Sequence, residues 1–348
     1  MTRHDRLVGF VERQGWVPGD LEPLAGDASN RRYSRLRRER LIIMDAPPQS
    51  GEDVRPFVAM TNWLRGIGYS APEIVAADLE AGFLALEDLG DALFADLCAR
   101  NAGSETELYE NAVDLLADLS RAAVPTGFDV GGSRIDLARY DDTVLLREAD
   151  LFLDWYLPGA LGRPIDEALR SEFRTLVRDA IAPVQYASSV VVLRDYHAEN
   201  LIWLPKRRGT ARTGLLDYQD ALAGHPAYDL VSLLEDARRD TGAELQGAMI
   251  RRYLDATAID APAFLHGYSV LGAQRNLKIV GIFSRLCMRD GKSRYPDLIP
   301  RVWNHLMTDL QHPALAGLRD WIADHAVSPE PHVLDAIRAQ RRLIGKTA

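Results

Sequence analysis

The sequence predicts an α+β protein with a small, β-rich N-terminal lobe and a larger, mainly helical C-terminal lobe. Before residue 90, apolar residues occur in short runs separated by turn residues, a pattern typical of strands. After Asp91 they recur at three- and four-residue intervals, a pattern typical of amphipathic helices. Two further short apolar runs, VVVL and LIWL, form a β island within the helical half. We therefore expect one lobe at residues 1–90 and a second lobe at residues 91–348.

Each element of the first lobe has its own signal. The segment LEPLAGDASNRRYSRLRRERLIIMDAPP predicts two or three short strands joined by turns, with the clearest turn at residues 26–29. The segment EDVRPFVAMTNWLRGIG predicts a helix, because its apolar residues share one helical face, and this helix should end at Gly66 or Gly68. The segment PEIVAADLEAGFLALEDLG predicts a hairpin whose second strand ends at Glu87 and Asp88.

The second lobe is predicted from helical periodicity, interrupted by the β island. The segments ETELYENAVDLLADLSRAA and TVLLREADLFLDWYL place apolar residues on one helical face. Within the β island, the sequence PKRRGTARTG separates two apolar runs and predicts a basic hairpin tip. The sequence HPAYDL then leads into another helix.

Composition excludes several classes of protein. The chain of 348 residues is 47% hydrophobic, which is ordinary for a globular protein, and no run of about eighteen apolar residues predicts a membrane span. The segment MTRHDRLVGFVERQGW lacks the features of an export signal, so we expect a cytoplasmic protein with no membrane partner. Cys98 and Cys287 stand far apart, which argues against a disulfide framework or a zinc site. The net charge of -9 disfavours nucleic-acid binding, so an anionic ligand needs a local positive site.

Polar residues interrupt the β island in a pattern that suits phosphoryl transfer. Asp195 and Asn200 lie five positions apart on an expected loop, and Asp217 follows seventeen positions later at the end of the next apolar run. If the two strands pair, the three side chains converge. Mg²⁺ prefers oxygen ligands and is commonly held by few protein groups together with substrate phosphates. Phosphoryl transfer needs such a metal site and a further carboxylate that accepts the proton of the attacking hydroxyl.

The run RDYHAEN, followed by LLDYQD, resembles the catalytic and metal-binding loops of the aminoglycoside phosphotransferase and choline kinase group. These are small-molecule kinases with a protein-kinase-like bilobal fold. The resemblance implies that Asp195 is the catalytic base, that Asn200 and Asp217 bind Mg²⁺, and that ATP is the phosphoryl donor. It implies that His197 shapes the loop near the substrate, although a structural histidine would fit equally. Asp229 in HPAYDL resembles the aspartate that braces this loop, and it would also suit a helix N-cap.

The same resemblance places the nucleotide on the first lobe. Small residues in GDASNRRYSRL would let backbone amides approach the phosphates, and one of the nearby arginines would reach a phosphate as a bidentate donor. The candidates on this segment are Gly26, Ala28, Ser29, Arg31 and Arg32. The segment FLALEDLGD resembles the hinge of the family, where backbone groups from Glu87 to Leu89 would bind the adenine edge. Asp91 would contact the ribose or cap the following helix.

The sequence departs from the kinase pattern at two places. The lysine expected on the third strand is missing from LIIMD, which has Met44 and Asp45 instead, and the following helix has no mid-helix glutamate to pair with it. Either an arginine of the first loop neutralises the phosphates, or magnesium and backbone groups hold them alone. In addition, Leu193 stands where the family often has a histidine.

Further blocks resemble the bacterial anomeric kinases of N-acetylmuramate and N-acetylglucosamine. They are LIIMDAPP, LALEDLGD, RDYHAENLIWLP, GLLDYQDALAGHPAYDLVSLLEDARRD and QRNLKIVGIFSRL, in this order along the chain. This resemblance implies an amino sugar as the partner and phosphorylation of its C1 hydroxyl during recycling of cell-wall sugars. The candidate sugar contacts are Arg194, Tyr196, His197, Glu199, Gln219, Asp220 and Arg275, together with Asn276 and Lys278. A solvated helix face or an internal brace is the alternative for each of them.

Other functions stay open at this stage. A kinase for an aminoglycoside, choline or homoserine would share the same catalytic residues. The missing lysine would also suit an inactive scaffold that binds nucleotide without turnover. The arginines between Arg31 and Arg40 support a nucleic-acid-binding protein only weakly. The sequence leaves open the choice between the two sugars, the anomer, ATP against GTP, and the oligomeric state.

Overall fold

The computed structural model describes residues 2–24, 30–185 and 189–344. The α-helices are α1 (Arg3–Arg13), α2 (Arg55–Gly66), α3 (Phe94–Arg100), α4 (Glu105–Leu119), α5 (Asp142–Leu151), α6 (Leu157–Leu161), α7 (Glu167–Gln185), α8 (Ala227–Leu234), α9 (Ala243–Thr257), α10 (Ala261–Met288), α11 (Ile299–Asp309), α12 (Ala316–His325) and α13 (Pro331–Ile344). The strands are β1 (Leu21–Pro23), β2 (Arg32–Leu36), β3 (Leu41–Asp45), β4 (Ile74–Asp78), β5 (Phe83–Glu87), β6 (Gly127–Val130), β7 (Ser133–Asp136), β8 (Val190–Val192), β9 (Leu201–Trp203), β10 (Thr213–Leu215) and β11 (Leu222–Gly224).

The backbone forms two compact units. The first comprises Met1–Asp118, Pro125–Ala138 and Leu193–Ala221, and the second comprises Leu119–Val124, Arg139–Val192 and Leu222–Ala348. The segment from Leu193 to Ala221 joins the first unit because β9 and β10 form bridges with earlier parts of the chain, Leu93 with Ile202 and Ser70 with Gly214. These units are defined by backbone packing, and the expected division after residue 90 into a nucleotide lobe and a substrate lobe stays a prediction.

The first unit is built on a five-stranded antiparallel sheet in the order β1-β2-β3-β5-β4. The sequence predicts two or three short strands followed by a hairpin, and the structure has three strands, β1 to β3, and the hairpin of β4 and β5. Side chains alternate between the faces of a strand, so Leu41 and Ile43 of β3 lie on one face and Met44 lies on the other. The first face packs against α1, with the Phe10 and Phe83 rings stacked 5.6 Å apart. Phe10, Val11, Leu36, Leu41, Ile43, Ala81, Phe83 and Ala85 form this core.

Helix α2 ends at Gly66, as predicted, and packs against the chain that follows β10. The Phe57 ring stacks on the Tyr218 ring at 5.2 Å, and the Thr61 hydroxyl lies 2.7 Å from the Tyr218 hydroxyl. Tyr218 is fully buried by these contacts. Helix α2 therefore fixes the position of the residue directly after Asp217.

The β island forms two separate two-stranded sheets. Strand β9 pairs antiparallel with β10, and the predicted basic hairpin tip joins them. Strand β8 pairs antiparallel with β11 in the second unit, so Val192 lies opposite Leu222 where the chain leaves that unit and returns to it. A hairpin of β6 and β7 in the first unit was not predicted. Its two strands are short, and Val130 is their only buried residue, so they carry no clear apolar pattern.

Helices dominate the second unit, and the longest of them, α10, lies in its interior with most of its residues buried. The helix predicted from TVLLREADLFLDWYL is present as α5, followed by a π-helical turn at Phe152–Tyr156. The end of α5 packs closely against α10, because a Cβ atom at Gly281 would lie only 2.3 Å from the backbone carbon of Leu151. Both cysteines are buried thiols. No helix in the described ranges has both the length and the apolar character that a membrane span requires.

Candidate active site

The loop between β8 and β9 carries the first two predicted site residues. Its backbone is tightly folded: Asp195 N–H donates to the Leu193 carbonyl at 2.9 Å, and His197 N–H donates to the Asp195 carbonyl at 3.2 Å. Asn200 N–H then donates to the His197 carbonyl at 2.8 Å. These short-range bonds hold Asp195 and Asn200 on a compact turn, as the sequence predicts.

The side-chain amide of Asn200 is oriented by the same loop. Its Nδ2 atom lies 2.9 Å from the Asp195 carbonyl oxygen and 3.3 Å from His197 Nε2. Because an amide nitrogen has two hydrogens, both are used inside the loop. The Oδ1 atom accepts no hydrogen bond from any described residue. Asn200 is thus positioned with an oxygen available to a cation, and His197, which is buried, helps to hold it there.

Asp217 reaches the same place through the pairing of β9 with β10. Leu201 lies opposite Leu215, and Leu216 N–H donates to the Asn200 carbonyl at 3.0 Å. Asp217 follows with φ of 57°, a left-handed conformation that non-glycine residues adopt rarely. Arg194, directly before Asp195, has φ of 71°. Such strained residues gather at active sites, where the surrounding structure maintains them.

Negative charge accumulates at this point of the first unit. Burial by the surrounding protein raises the pKa of the Asp217 carboxyl, and the carboxylates of Asp195 and Asp220 raise it further. The carboxyl still opens to solvent, and it accepts a hydrogen bond from Gln219 Nε2 at 2.8 Å. A divalent cation would offset the repulsion among these carboxylates. The donor set of one amide oxygen and one carboxylate suits Mg²⁺ that is also bound by phosphate oxygens.

The other candidate sugar contacts of this segment differ in exposure. Arg194 Nη1 donates to the Asp220 carbonyl at 3.3 Å, which links the two ends of the site segment. Glu199 and Asp220 are exposed, and Gln219 is half-buried. Tyr196 is buried, and its hydroxyl donates to the Ala112 carbonyl at 2.8 Å, so a sugar contact by the same proton would have to replace this bond.

The candidates of the QRNLK segment lie in the second unit and have interior partners there. Arg275 is buried, and its Nη2 atom donates to Ser232 Oγ at 2.7 Å. Asn276 is buried between the carboxylates of Glu235 and Asp309. Lys278 pairs with Glu148 at 3.0 Å. These bonds favour the internal-brace alternative for each side chain, and their role in sugar binding stays a prediction.

A buried acidic pair surrounds Asn276. Its Nδ2 atom donates to Glu235 Oε2 at 2.7 Å and to Asp309 Oδ2 at 3.0 Å. Burial raises the pKa of Glu235, and burial followed by the Glu235 charge raises the pKa of Asp309 well above its usual range. A proton therefore stays on this pair at pH values where a free carboxyl would be ionised.

Asp229 lies in the first turn of α8, where it is buried. The N-cap of that helix is Pro226, which makes no side-chain cap, so the expected N-cap position for Asp229 is wrong by three residues. The proline ring fixes the turn that begins the helix, so the chain needs no polar cap there. The role of Asp229 as a brace for the catalytic loop stays a prediction.

The two candidate arginines of the first loop have different surroundings. Arg31 is nearly buried, with 12% of its side chain exposed, and its Nε atom lies 2.8 Å from Glu52 Oε2. Arg32 is exposed. Glu52 precedes α2 and was missed by the sequence analysis, because a single glutamate in a turn carries no pattern. The candidates Gly26, Ala28 and Ser29 lie outside the described residues.

The predicted hinge follows β5. The N–H groups of Glu87 and Asp88 already donate to the Glu73 and Arg40 carbonyls, at 2.8 and 3.0 Å. The N–H of Leu89 makes no hydrogen bond with a described residue, so of the three amides it is the one best suited to bind the adenine edge.

Asp91 is held by Arg35 and does not cap a helix. Arg35 Nη2 and Nη1 lie 2.7 and 2.9 Å from the two Asp91 oxygens, and Arg35 Nε lies 2.8 Å from Asp88 Oδ2. The bond from Arg35 lowers the pKa of Asp91. Helix α3 begins after Leu93 without a side-chain cap, so the capping alternative for Asp91 is wrong.

Comparisons with known proteins identify the family of the chain. The model of the phosphotransferase enzyme family matches residues 20–268. A protein of Caulobacter vibrioides named N-acetylmuramate/N-acetylglucosamine kinase is 41% identical, over 92% of this chain and 95% of its own length. A protein of Pseudomonas aeruginosa with the same name is 37% identical, over 89% of this chain and 90% of its own length.

Solved structures with the same fold are more distant in sequence. A choline/ethanolamine kinase family protein from Mesorhizobium loti aligns with a TM-score of 0.62 at 15% identity, covering 97% of this chain and 98% of that chain. The ADP-bound aminoglycoside phosphotransferase APH(2'')-Ib aligns with a TM-score of 0.57 at 15% identity, covering 87% and 97%. The kinase-like α+β fold predicted from the sequence is confirmed. The chain belongs to the phosphotransferase enzyme family.

Proposed function

We propose that this phosphotransferase uses ATP to phosphorylate the C1 hydroxyl of N-acetylmuramate and N-acetylglucosamine, giving sugar 1-phosphates. The observation that carries the proposal is the convergence of Asp195, Asn200 and Asp217 through the pairing of β9 with β10. Two relatives that share more than a third of their residues with this chain carry the name of such a kinase. A cytoplasmic location and a role in recycling cell-wall sugars follow from the proposal as predictions.

Asp195 acts as the general base in the proposed reaction. The C1 oxygen of the sugar attacks the γ-phosphorus, its proton passes to the Asp195 carboxylate, and an O–P bond forms. The bond between the γ-phosphorus and the bridging oxygen breaks, and ADP leaves with the electron pair. Most of the barrier in phosphoryl transfer is lowered by positioning and charge stabilisation. The compact loop around Asp195 supplies the positioning.

Asn200 and Asp217 would hold a magnesium ion, which supplies positive charge beside the phosphoryl oxygens when it is bound. Within the described ranges, no group of three or more His, Cys, Asp or Glu side chains forms a metal site. The proposal requires only the Asn200 amide oxygen and the Asp217 carboxylate from this chain. His197 keeps the amide in the orientation that leaves this oxygen exposed to the ion.

An acceptor panel tests the proposal. Release of ADP would be measured with MgATP and each of N-acetylmuramate, N-acetylglucosamine, choline, homoserine and an aminoglycoside, and then with GTP as donor. We expect turnover with the two amino sugars, and the ratio of their kcat/KM values gives the preference. Turnover with choline or an aminoglycoside alone would contradict the sugar as acceptor while leaving the phosphotransferase chemistry intact.

An inactive nucleotide-binding scaffold is the alternative that a specific observation favours. Met44 occupies the third strand where a kinase has its lysine, and it is buried opposite Tyr33. A scaffold would gain thermal stability from MgATP without turnover on any acceptor, because binding stabilises the folded state whether or not chemistry follows. Turnover on any acceptor of the panel excludes it.

A further inference from the structure

The first part of the chain contains no lysine that could contact a nucleotide phosphate. The first lysine in the sequence is Lys206, at the hairpin tip between β9 and β10. The net charge is -9, and the proposed site adds the carboxylates of Asp195, Asp217 and Asp220. A triphosphate bound there needs positive charge from arginine as well as from the metal.

Arg31 is the arginine that the structure brings to this place. Burial opposes its charge, but the hydrogen bond to Glu52 and the charges of Glu52 and Asp220 outweigh this effect and raise its pKa. Arg31 stands two residues before Tyr33, which lies opposite Met44 in the pairing of β2 with β3, so alternation along the extended chain puts Arg31 on the face that carries Met44. Arg31 therefore lies on the side of the sheet where the missing lysine would stand.

Glu52 fixes the guanidinium in that position. The contact between Arg31 Nε and Glu52 Oε2 is 2.8 Å, and only 12% and 17% of the two side chains are exposed. Solvent screening is weak for a pair this well covered, so the bond restricts the arginine more than a surface ion pair would. A guanidinium has five N–H donors in a fixed plane, a geometry that can bind a carboxylate and a phosphate together.

We propose that Arg31 binds the nucleotide phosphates and that Glu52 is the positioning residue that holds its guanidinium for this contact. Arg31 and Glu52 together would replace the phosphate-binding lysine that other kinases have on the third strand, where this chain has Met44. The inference rests on the proposed use of a nucleotide as phosphoryl donor. Arg32 is excluded from the role, because it is exposed and lies opposite Asp45, on the face of the sheet that packs against α1.

Binding of MgADP and of adenosine, measured by calorimetry, tests the pair without any sugar acceptor. We expect Arg31→Gln to weaken MgADP binding by about 10-fold or more and to leave adenosine binding unchanged, because only the phosphate contact is lost. Glu52→Gln should weaken MgADP binding by a smaller factor, and Arg31→Lys should restore part of the affinity. Arg38→Ala, an exposed arginine between β2 and β3, is the matched control and should bind MgADP as the wild type does.

The coupling between the two residues separates a positioning role from a merely structural one. If Glu52 acts through Arg31, the Arg31→Gln/Glu52→Gln double variant binds MgADP no more weakly than Arg31→Gln alone. Thermal unfolding of each variant without ligand identifies any variant that fails to fold. If Arg31→Gln fails to fold, Arg31→Lys tests the same contact, because it keeps the positive charge but not the planar group. In steady-state assays, Glu52→Gln should raise the KM for ATP more than it lowers kcat.

Different results would contradict different claims. The inference is wrong if Arg31→Gln binds MgADP as tightly as the wild type does. It is also wrong if Arg31→Gln loses adenosine and MgADP affinity equally. A loss of MgADP affinity in Arg32→Ala that Arg31→Gln does not show would contradict it as well. Normal MgADP binding without phosphorylation of any sugar contradicts the proposed function alone. A wild-type protein that binds neither MgADP nor MgGDP contradicts both.

Discussion

The Asn200 amide nitrogen lies 2.9 Å from the Asp195 carbonyl oxygen, so the proposed metal ligand and the proposed base are bound to each other within one loop. The same nitrogen contacts His197 Nε2. This arrangement leaves Asn200 Oδ1 as the available end of the amide. The contact with His197 fits a role of this histidine in the geometry of the loop.

Replacement of the base should abolish most turnover and leave nucleotide binding intact. For Asp195→Asn we expect kcat to fall by about 10²-fold or more, equivalent to about 3 kcal/mol in the transition state. ADP release with N-acetylglucosamine measures the rate, and calorimetry with MgADP measures binding. Asp96→Asn, an exposed acid on α3, is the matched control. A variant at Asp195 that retained half of the wild-type rate would disprove its assignment as base.

Loss of the Asp217 carboxylate should change the dependence of activity on magnesium. For Asp217→Asn we expect the Mg²⁺ concentration at half-maximal rate to rise by about 10-fold or more. Asparagine has nearly the same size as aspartate, so a change in the Mg²⁺ requirement would result from the loss of the negative charge. Titration of Mg²⁺ against ADP release measures it, and the same titration of ADP binding provides a readout without turnover. Identical magnesium curves for variant and wild type would exclude Asp217 as a ligand.

The contact between the Thr61 and Tyr218 hydroxyls should contribute to the stability of the fold. It also holds the residue next to Asp217 against α2. Tyr218→Phe removes a buried hydroxyl, and the Thr61 hydroxyl keeps its bond to the Phe57 carbonyl at 2.7 Å. We therefore expect a stability loss of only about 1 kcal/mol. Thr61→Val should cost a similar amount, and the double variant should cost less than the sum, because both remove the same bond. Urea unfolding of the three variants measures this, and strict additivity would show that the two hydroxyls do not interact.

The buried acidic pair of the second unit should make stability depend on pH. Because the folded pKa of Asp309 is raised, the folded protein keeps a proton that the unfolded chain loses above about pH 4. Stability should therefore fall as pH rises from about 4 toward the folded pKa, by up to about 1.4 kcal/mol per pH unit for one group. Asp309→Asn cannot ionise, so its urea midpoint should change less with pH. Equal slopes for variant and wild type would contradict the raised pKa.

Because α10 packs closely against the end of α5, replacement of Gly281 should strongly destabilise the protein. At Gly281 a Cβ atom would lie 2.3 Å from the Leu151 backbone carbon, so we expect Gly281→Ala to cost about 3 kcal/mol of unfolding free energy. At Gly247 in α9 the nearest atom is the flexible end of Arg251, at 3.3 Å, so Gly247→Ala should stabilise the protein by about 0.5 kcal/mol. Thermal unfolding compares the pair. A neutral Gly281→Ala would show that the helices do not approach so closely.

Strand and helix patterns allowed much of this fold to be predicted. The hairpin ending at Glu87, the end of α2 at Gly66 and the pairing of β9 with β10 follow from apolar spacing and turn residues, which are local signals. The family resemblance added the roles of Asp195, Asn200 and Asp217. The hairpin of β6 and β7 was not predicted, because its short strands show no alternation of apolar and polar residues.

Contacts between residues distant in sequence could not be predicted. Glu52 stands 21 positions from Arg31, and Asp91 stands 56 positions from Arg35, so no local pattern connects either pair. Tertiary packing also decided which arginines of the cluster are exposed. Arg35 is buried beside Asp88 and Asp91, whereas Arg32 and Arg38 are exposed.

Phosphorus NMR of one reaction tests the central claim most directly. The protein would be incubated with MgATP and N-acetylglucosamine or N-acetylmuramate, with Asp195→Asn as the parallel sample. We predict a new sugar 1-phosphate resonance, coupled to the anomeric proton, that appears with the wild type and is at least about 100-fold slower with the variant. A phosphate resonance coupled to protons of another carbon, or an equal rate in the two samples, would contradict the account.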